Sequence, residues 1–235
     1  MNPTATSRRR LVIKLGMGSI LLFLLLTLVA MLTYPGGTYT NHDTEGYTFF
    51  YNFFSDLGHY RTYDGEPKWA SMILFSTALA LGGITFLLFY TVTPNWFRAN
   101  KRTLLYARIG SVGGGICAAG LIVVALTPSD LFLNPHLWAL KIAMLGFLVA
   151  CIFYSIAIFK RKDFPNGYVI LYAAFLVILL YYLWLLFFGP SVKTDIGLMQ
   201  HCAGQKILVY SMSMTILVQS WGLLKIPEQA VAANE

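Results

Sequence analysis

The sequence predicts an all-α fold, a bundle of six transmembrane helices with an amphipathic helix in its first outer loop. Three observations predict it. The chain is 57% hydrophobic and only 11% charged, against roughly 25% charged in a soluble domain. Six apolar runs are each long enough to cross a bilayer, which takes about 20 residues. The basic residues cluster at alternate ends of those runs, which is a topology signal and not the footprint of a nucleic-acid binder. The net charge of +7 therefore implies no nucleic acid.

The first span is predicted at 11–33, after a cytoplasmic tail at 1–10. Arg8, Arg9 and Arg10 precede it, as they would precede a signal peptide. The run exceeds the usual 7–15 apolar residues of such a peptide and no A-x-A site follows, so it reads as a retained helix. The second span is predicted at 68–92, and the third at 103–127. The third carries Gly110 and Gly114 as G-x-x-x-G, a spacing that lets helix backbones approach in lipid. Its expected use is packing within the bundle, with Gly82-Gly83 as a partner. The fourth span is expected at 136–159, the fifth at 167–188, and the sixth at 198–223. The fifth, "YVILYAAFLVILLYYLWLLFF", is apolar on every face. The spanning domain is 11–224, and 225–235 is a short cytoplasmic tail. The joints hold turn residues such as Pro35-Gly36-Gly37, Pro128-Ser129 and Gly189-Pro190.

With the N-terminus cytoplasmic, Arg8–Arg10, Lys14, Arg98, Lys101, Arg102, Arg108, Lys160–Lys162 and Lys225 fall inside. Only Arg61, Lys68 and Lys193 fall outside. Both termini are then cytoplasmic, in a cell (inner or plasma) membrane. Cys117, Cys151 and Cys202 are too few and scattered for a disulfide framework.

All four histidines and most acids fall toward the outer side. The first outer loop, about 34–67, contains "FFYNFFSDLGHY", Phe49 to Tyr60. Drawn as a helix, it places Asn52, Ser55, Asp56 and His59 on one face, with aromatics elsewhere. That stripe is a polar latch, a reactive site or a surface. Its candidate partners are Asp130 and His136 beyond the turn "TPSDLFLNPH", Lys141 in the fourth span, and His201, Gln205 and Lys206 in the sixth. Lys141 and Lys206 lie deep enough to pair with Asp56 or Asp130, since intramembrane ionisable groups seek partners.

"FFSDLG", followed by "EPKWASMILFSTALALGG", is similar to the "ISDLG" segment of the bacterial and archaeal membrane family called domain of unknown function 998. "ALTPSD", with His136 beyond it, resembles that family's "G-x-F-P-x-D" turn. The layout more distantly resembles the Frag1/DRAM/Sfk1 group of eukaryotic six-helix proteins. The resemblance implies a prokaryotic six-helix membrane protein, and the eukaryotic group implies lipid handling by analogy.

Three functions are open. The first is a non-enzymatic protein that binds membrane lipid, a membrane partner or a second copy of itself through its outer-leaflet side. The second is an intramembrane metal-dependent lipid hydrolase or transferase. It would use Ser55, Asp56 and His59 for chemistry and Asp56, His136 and His201 as ligands, with zinc the metal such donors take. The chain lacks the seven helices and paired H-x-x-x-H of alkaline-ceramidase-like enzymes. The third is a small-solute transporter with Lys141 and Lys206 along its path. No broken helix or inverted repeat supports that, and the inner half offers almost no polar lining.

Overall fold

A computed structural model describes residues 3–161 and 165–225 of the chain. Its six long helices are α1 (Pro3–Leu32), α2 (Trp69–Val92), α3 (Lys101–Leu126), α4 (Leu133–Phe159), α5 (Gly167–Phe188) and α6 (Asp195–Lys225). All six contain stretches long and apolar enough to cross a membrane, and the protein is a multi-pass membrane protein of all-α class. α1 begins at Pro3 and so runs through the segment read above as a tail. The expected C-terminal tail lies, from residue 226 onward, outside the described residues, as does Lys162.

Each helix packs against the next in sequence, and α6 returns to α1. The helices therefore form a closed ring. The connections that follow α2, α3, α4 and α5 are short, which makes those neighbours antiparallel. The connections 33–68, 127–132 and 189–194 meet at one end, here called the capped end. Of the six neighbouring pairs, α3 and α4 share the largest interface and α1 and α6 the smallest.

The reason for the tight α3–α4 seam is missing side chains. A Cβ on Gly113 would lie 2.6 Å from the Gly146 carbonyl oxygen, and one on Gly120 would lie 2.7 Å from the Ala143 Cβ. The G-x-x-x-G pair packs inside the bundle. Gly110 faces the Tyr154 ring and Gly114 the Tyr90 ring, while Gly83 abuts the Ala118 carbonyl. With no hydrophobic drive between helices in lipid, close van der Waals approach of this kind holds them.

The half of the bundle away from the capped end is less bare than the sequence indicates. Tyr154 and Ser111 share a 2.7 Å hydrogen bond, and Ser111 Oγ also donates to the Tyr90 carbonyl at 2.7 Å. Gln219 and Ser220 on α6 are fully buried there as well. A helical net drawn on apolar runs hides such residues, because hydroxyls and one amide barely lower the mean hydropathy.

Candidate functional site

The stretch 49–60 does not form the amphipathic α-helix expected of it. Only Phe54–Gly58 is helical, as a five-residue 3-10 helix, with turns before it. The reason is competition from side chains. The Asp56 carboxylate accepts the Phe53 N–H at 2.9 Å, and the Asn52 side-chain oxygen accepts the Thr48 N–H at 2.8 Å. Such local bonds satisfy backbone donors without a helix.

Three of the four predicted stripe residues are nevertheless buried together. Asn52 and Asp56 are buried almost completely, and His59 nearly so. Ser55 is half-buried. Asp56 Oδ2 also accepts from Asn52 Nδ2 at 3.1 Å, and Oδ1 accepts from the Tyr63 hydroxyl at 3.1 Å. Asn52 Nδ2 donates further to the Gly37 carbonyl at 2.7 Å. Gly37 has φ +85°, a left-handed conformation that favours glycine. The loop is thus folded on itself around one carboxylate.

Two lysines bind the loop to the ring. Lys206 on α6 is 1% exposed. Its ammonium donates to the Asn52 and Cys202 carbonyls and lies over the rings of Tyr47 and Phe49. Lys68, at the start of α2, is 3% exposed. It donates to the carbonyls of Asp56 at 2.6 Å and Leu57 at 3.1 Å, and to Ser71 Oγ at 3.0 Å. Next to Lys206 on α6, Gln205 Oε1 accepts the Phe54 N–H at 2.6 Å. On the far side, Asp130 accepts the N–H groups of Tyr60 and Arg61 at 3.1 and 3.0 Å. α1 leads into the loop, and α2, α6 and the α3–α4 connection each hold it.

Burial dominates the titration of these groups. It pushes Lys68 down to about 8, with Asp56 and Asp130 opposing. It also lowers His59, again against Asp56 and Asp130. The hydroxyls of Tyr34, Tyr47 and Tyr63 are all raised, by burial first and then by the Asp56 charge.

The other predicted residues lie apart. Lys141 stacks on Trp138 and Phe187, and the pairing drawn for it with Asp56 or Asp130 is not formed. Lys206 reaches the Asp56 network through a backbone carbonyl and not through a carboxylate. His201 Nε2 contacts the Pro190 carbonyl at 3.1 Å, and His136 Nδ1 the Thr127 carbonyl at 2.6 Å. Asp56, His136 and His201 do not form a zinc ligand set as placed. Among the described residues no three His, Cys, Asp or Glu side chains are positioned to hold a metal ion.

The histidine hydrogen bond also argues against a relay. His59 Nε2 lies 2.8 Å from Ser129 Oγ and 3.5 Å from Asp56 Oδ1. A Ser–His–Asp relay needs the acid and the hydroxyl on opposite ring nitrogens. Here both approach the same one.

Sequence reading missed Lys68, Ser71, Tyr63 and Ser129. Lys68 counted only as a charge outside the membrane. A usable signal was its spacing, since Ser71 lies one helical turn on from a lysine that opens an apolar span.

Beneath the 3-10 helix lies a cavity of about 50 Å³ on the axis of the ring. All six helices contribute, through Phe23, Leu79, Leu121, Met144, Tyr182 and Met212 among others, and Phe54 and Ser55 form its roof. Compared with family models, curated proteins and solved structures, the chain finds no match.

Proposed function

We propose that the chain is a non-catalytic membrane protein that binds lipid at its outer-leaflet side, with the loop 33–68 as a latched cap. The observation that carries this reading is the cap itself. Its one buried carboxylate is held by three donors of the loop itself, and the cap roofs a mostly apolar cavity. Both Asp56 oxygens bond groups of the loop itself, as expected of a carboxylate that holds a fold together.

The orientation proposed here puts the capped end outside, in a prokaryotic cell membrane, with both termini in the cytoplasm. Its support is the clustering of Arg98, Lys101, Arg102, Lys160 and Arg161 at the opposite end, beside the N-terminal arginines. The resemblance to the domain of unknown function 998 family, and distantly to the Frag1/DRAM/Sfk1 group, supports lipid association by analogy.

Native mass spectrometry of the full chain, released from bilayer nanodiscs, tests the reading. Lipid adducts are expected on the wild type and are lost in Asp56→Ala, where the cap opens. Release of fatty acid or head group by the wild type, abolished in Ser55→Ala, would overturn it in favour of a lipid hydrolase.

A further inference from the structure

The central cavity has one exceptional wall. His136 is 3% exposed and lines it. Its Nδ1 faces the Thr127 carbonyl at 2.6 Å. A carbonyl only accepts, so Nδ1 carries the proton, and Nε2 of the neutral ring is left as an acceptor. That Nε2 is buried with no hydrogen-bond partner. Buried acceptors are almost always satisfied, so the atom asks for a donor.

The remaining lining restricts what that donor is. It is mostly hydrocarbon and aromatic, and its other polar groups are Ser55 at the roof, Gln205 and the Tyr182 hydroxyl. Gln205 has already given its oxygen to Phe54. A cation is disfavoured because no carboxylate lines the cavity. A water needs a cavity of at least about 10–15 Å³ and two to four polar partners. The cavity offers about 50 Å³ and little polarity. An uncharged hydroxyl on a hydrocarbon body matches both the acceptor and the walls.

We infer that the cavity binds the hydroxyl end of a long-chain, uncharged lipid alcohol, with the hydroxyl donating to His136 Nε2. The cavity holds only the head and first carbons. The tail leaves between α1 and α6, the smallest interface in the ring, past Phe23 and Val209. This inference rests on the lipid-binding reading above and names the lipid class for that site.

The test uses the full chain in phosphatidylcholine vesicles carrying a photoreactive, uncharged long-chain alkanol. Crosslinks are expected on α1 and α6 near Phe23 and Val209. Unlabelled hexadecan-1-ol should compete at least about tenfold better than its methyl ether, the ratio set by one lost hydrogen bond. His136→Phe should cut labelling and alkanol adducts by a similar factor while exchange of the loop amides stays as in the wild type. Equal competition by the ether, or labelling elsewhere on the chain, overturns the hydroxyl site and leaves the lipid-binding reading standing. Absence of labelling together with absence of any lipid adduct overturns both. The ether comparison is made on the wild type, so it decides even if the variant does not fold.

Discussion

At the α3–α4 seam, Gly113 and Gly146 face each other, and a Cβ on either would lie within 2.7 Å of the other's carbonyl oxygen. At the capped end the contacts run through Asn52, Asp56, Lys68, Gln205 and Lys206, all buried. The first region is held by close approach of bare backbone. The second is held by charge-assisted hydrogen bonds from side chains to loop carbonyls and amides. Helices can pack by shape because their backbone groups are already paired. A loop cannot, since every buried carbonyl and amide in it needs a donor or acceptor from elsewhere. The two lysines and one aspartate supply these. The same bundle therefore needs polar residues only where irregular backbone is buried, as expected for non-helical backbone at a membrane boundary.

The largest effect should come from the cap's centre. Asp56→Ala leaves Lys68 and Lys206 without the nearby carboxylate, and leaves Asn52, Tyr63 and the Phe53 amide without an acceptor. A loss of about 3–5 kcal/mol is expected, as for breaking a buried charged network, read by denaturant unfolding in detergent. Next is Gly113→Val, which drives a branched side chain into the Gly146 carbonyl. Overpacking of this kind costs about 1–3 kcal/mol. It should loosen the α3–α4 pair while leaving exchange of the loop amides unchanged. Lys68→Met keeps the hydrophobic stem but removes the charged donor from the Asp56 and Leu57 carbonyls, leaving them only the His59 amide and the Ser71 hydroxyl, at about 1–3 kcal/mol. Both lysine and aspartate variants should act on the cap alone, which separates the two regions.

Acidity gives a smaller and more selective effect. Burial holds His59 below its ordinary value of 6.5. The unfolded chain takes up a proton near 6.5 while the folded chain resists. Stability is therefore full above that pH and falls as pH drops below it. Lys68 acts with the same sign in an alkaline window. Its pKa is lowered from 10.5 to about 8, so the folded state loses its proton first and stability rises with pH between those values. Melting curves of the wild type and His59→Gln at pH 5 and 7.5 check the first. The variant should lose most of the acid dependence.

The bundle was legible because apolar length and basic clustering are chain-local properties. Six helices follow from them without knowledge of contacts. The cap was legible only in part. Asn52, Asp56, His59, Gln205 and Lys206 stand out as polar residues in apolar surroundings, and the structure places them together. The helix drawn through them did not form, because Asn52 and Asp56 bind nearby amides that a helical pattern leaves out. Lys68 escaped because a lysine beside a span has two uses, marking topology or bonding a buried loop, and spacing alone does not separate them. His136 was visible as a ligand candidate. Its free nitrogen depends on where the Thr127 carbonyl lies, which no spacing reveals.

The central claim is that the Ser55–Asp56–His59 stretch closes a cap and does not form a reactive centre. Hydrogen–deuterium exchange across residues 48–61, compared between wild type and Asp56→Ala in the same nanodiscs, tests it most directly. Protected amides are expected at Asn52, Phe53, Phe54 and Tyr60 in the wild type. Exchange there should be at least about tenfold faster in the variant, the change that about 1.4 kcal/mol of local stability would produce, with α3 and α4 unaffected. Equal exchange in the two proteins across this segment would contradict the claim.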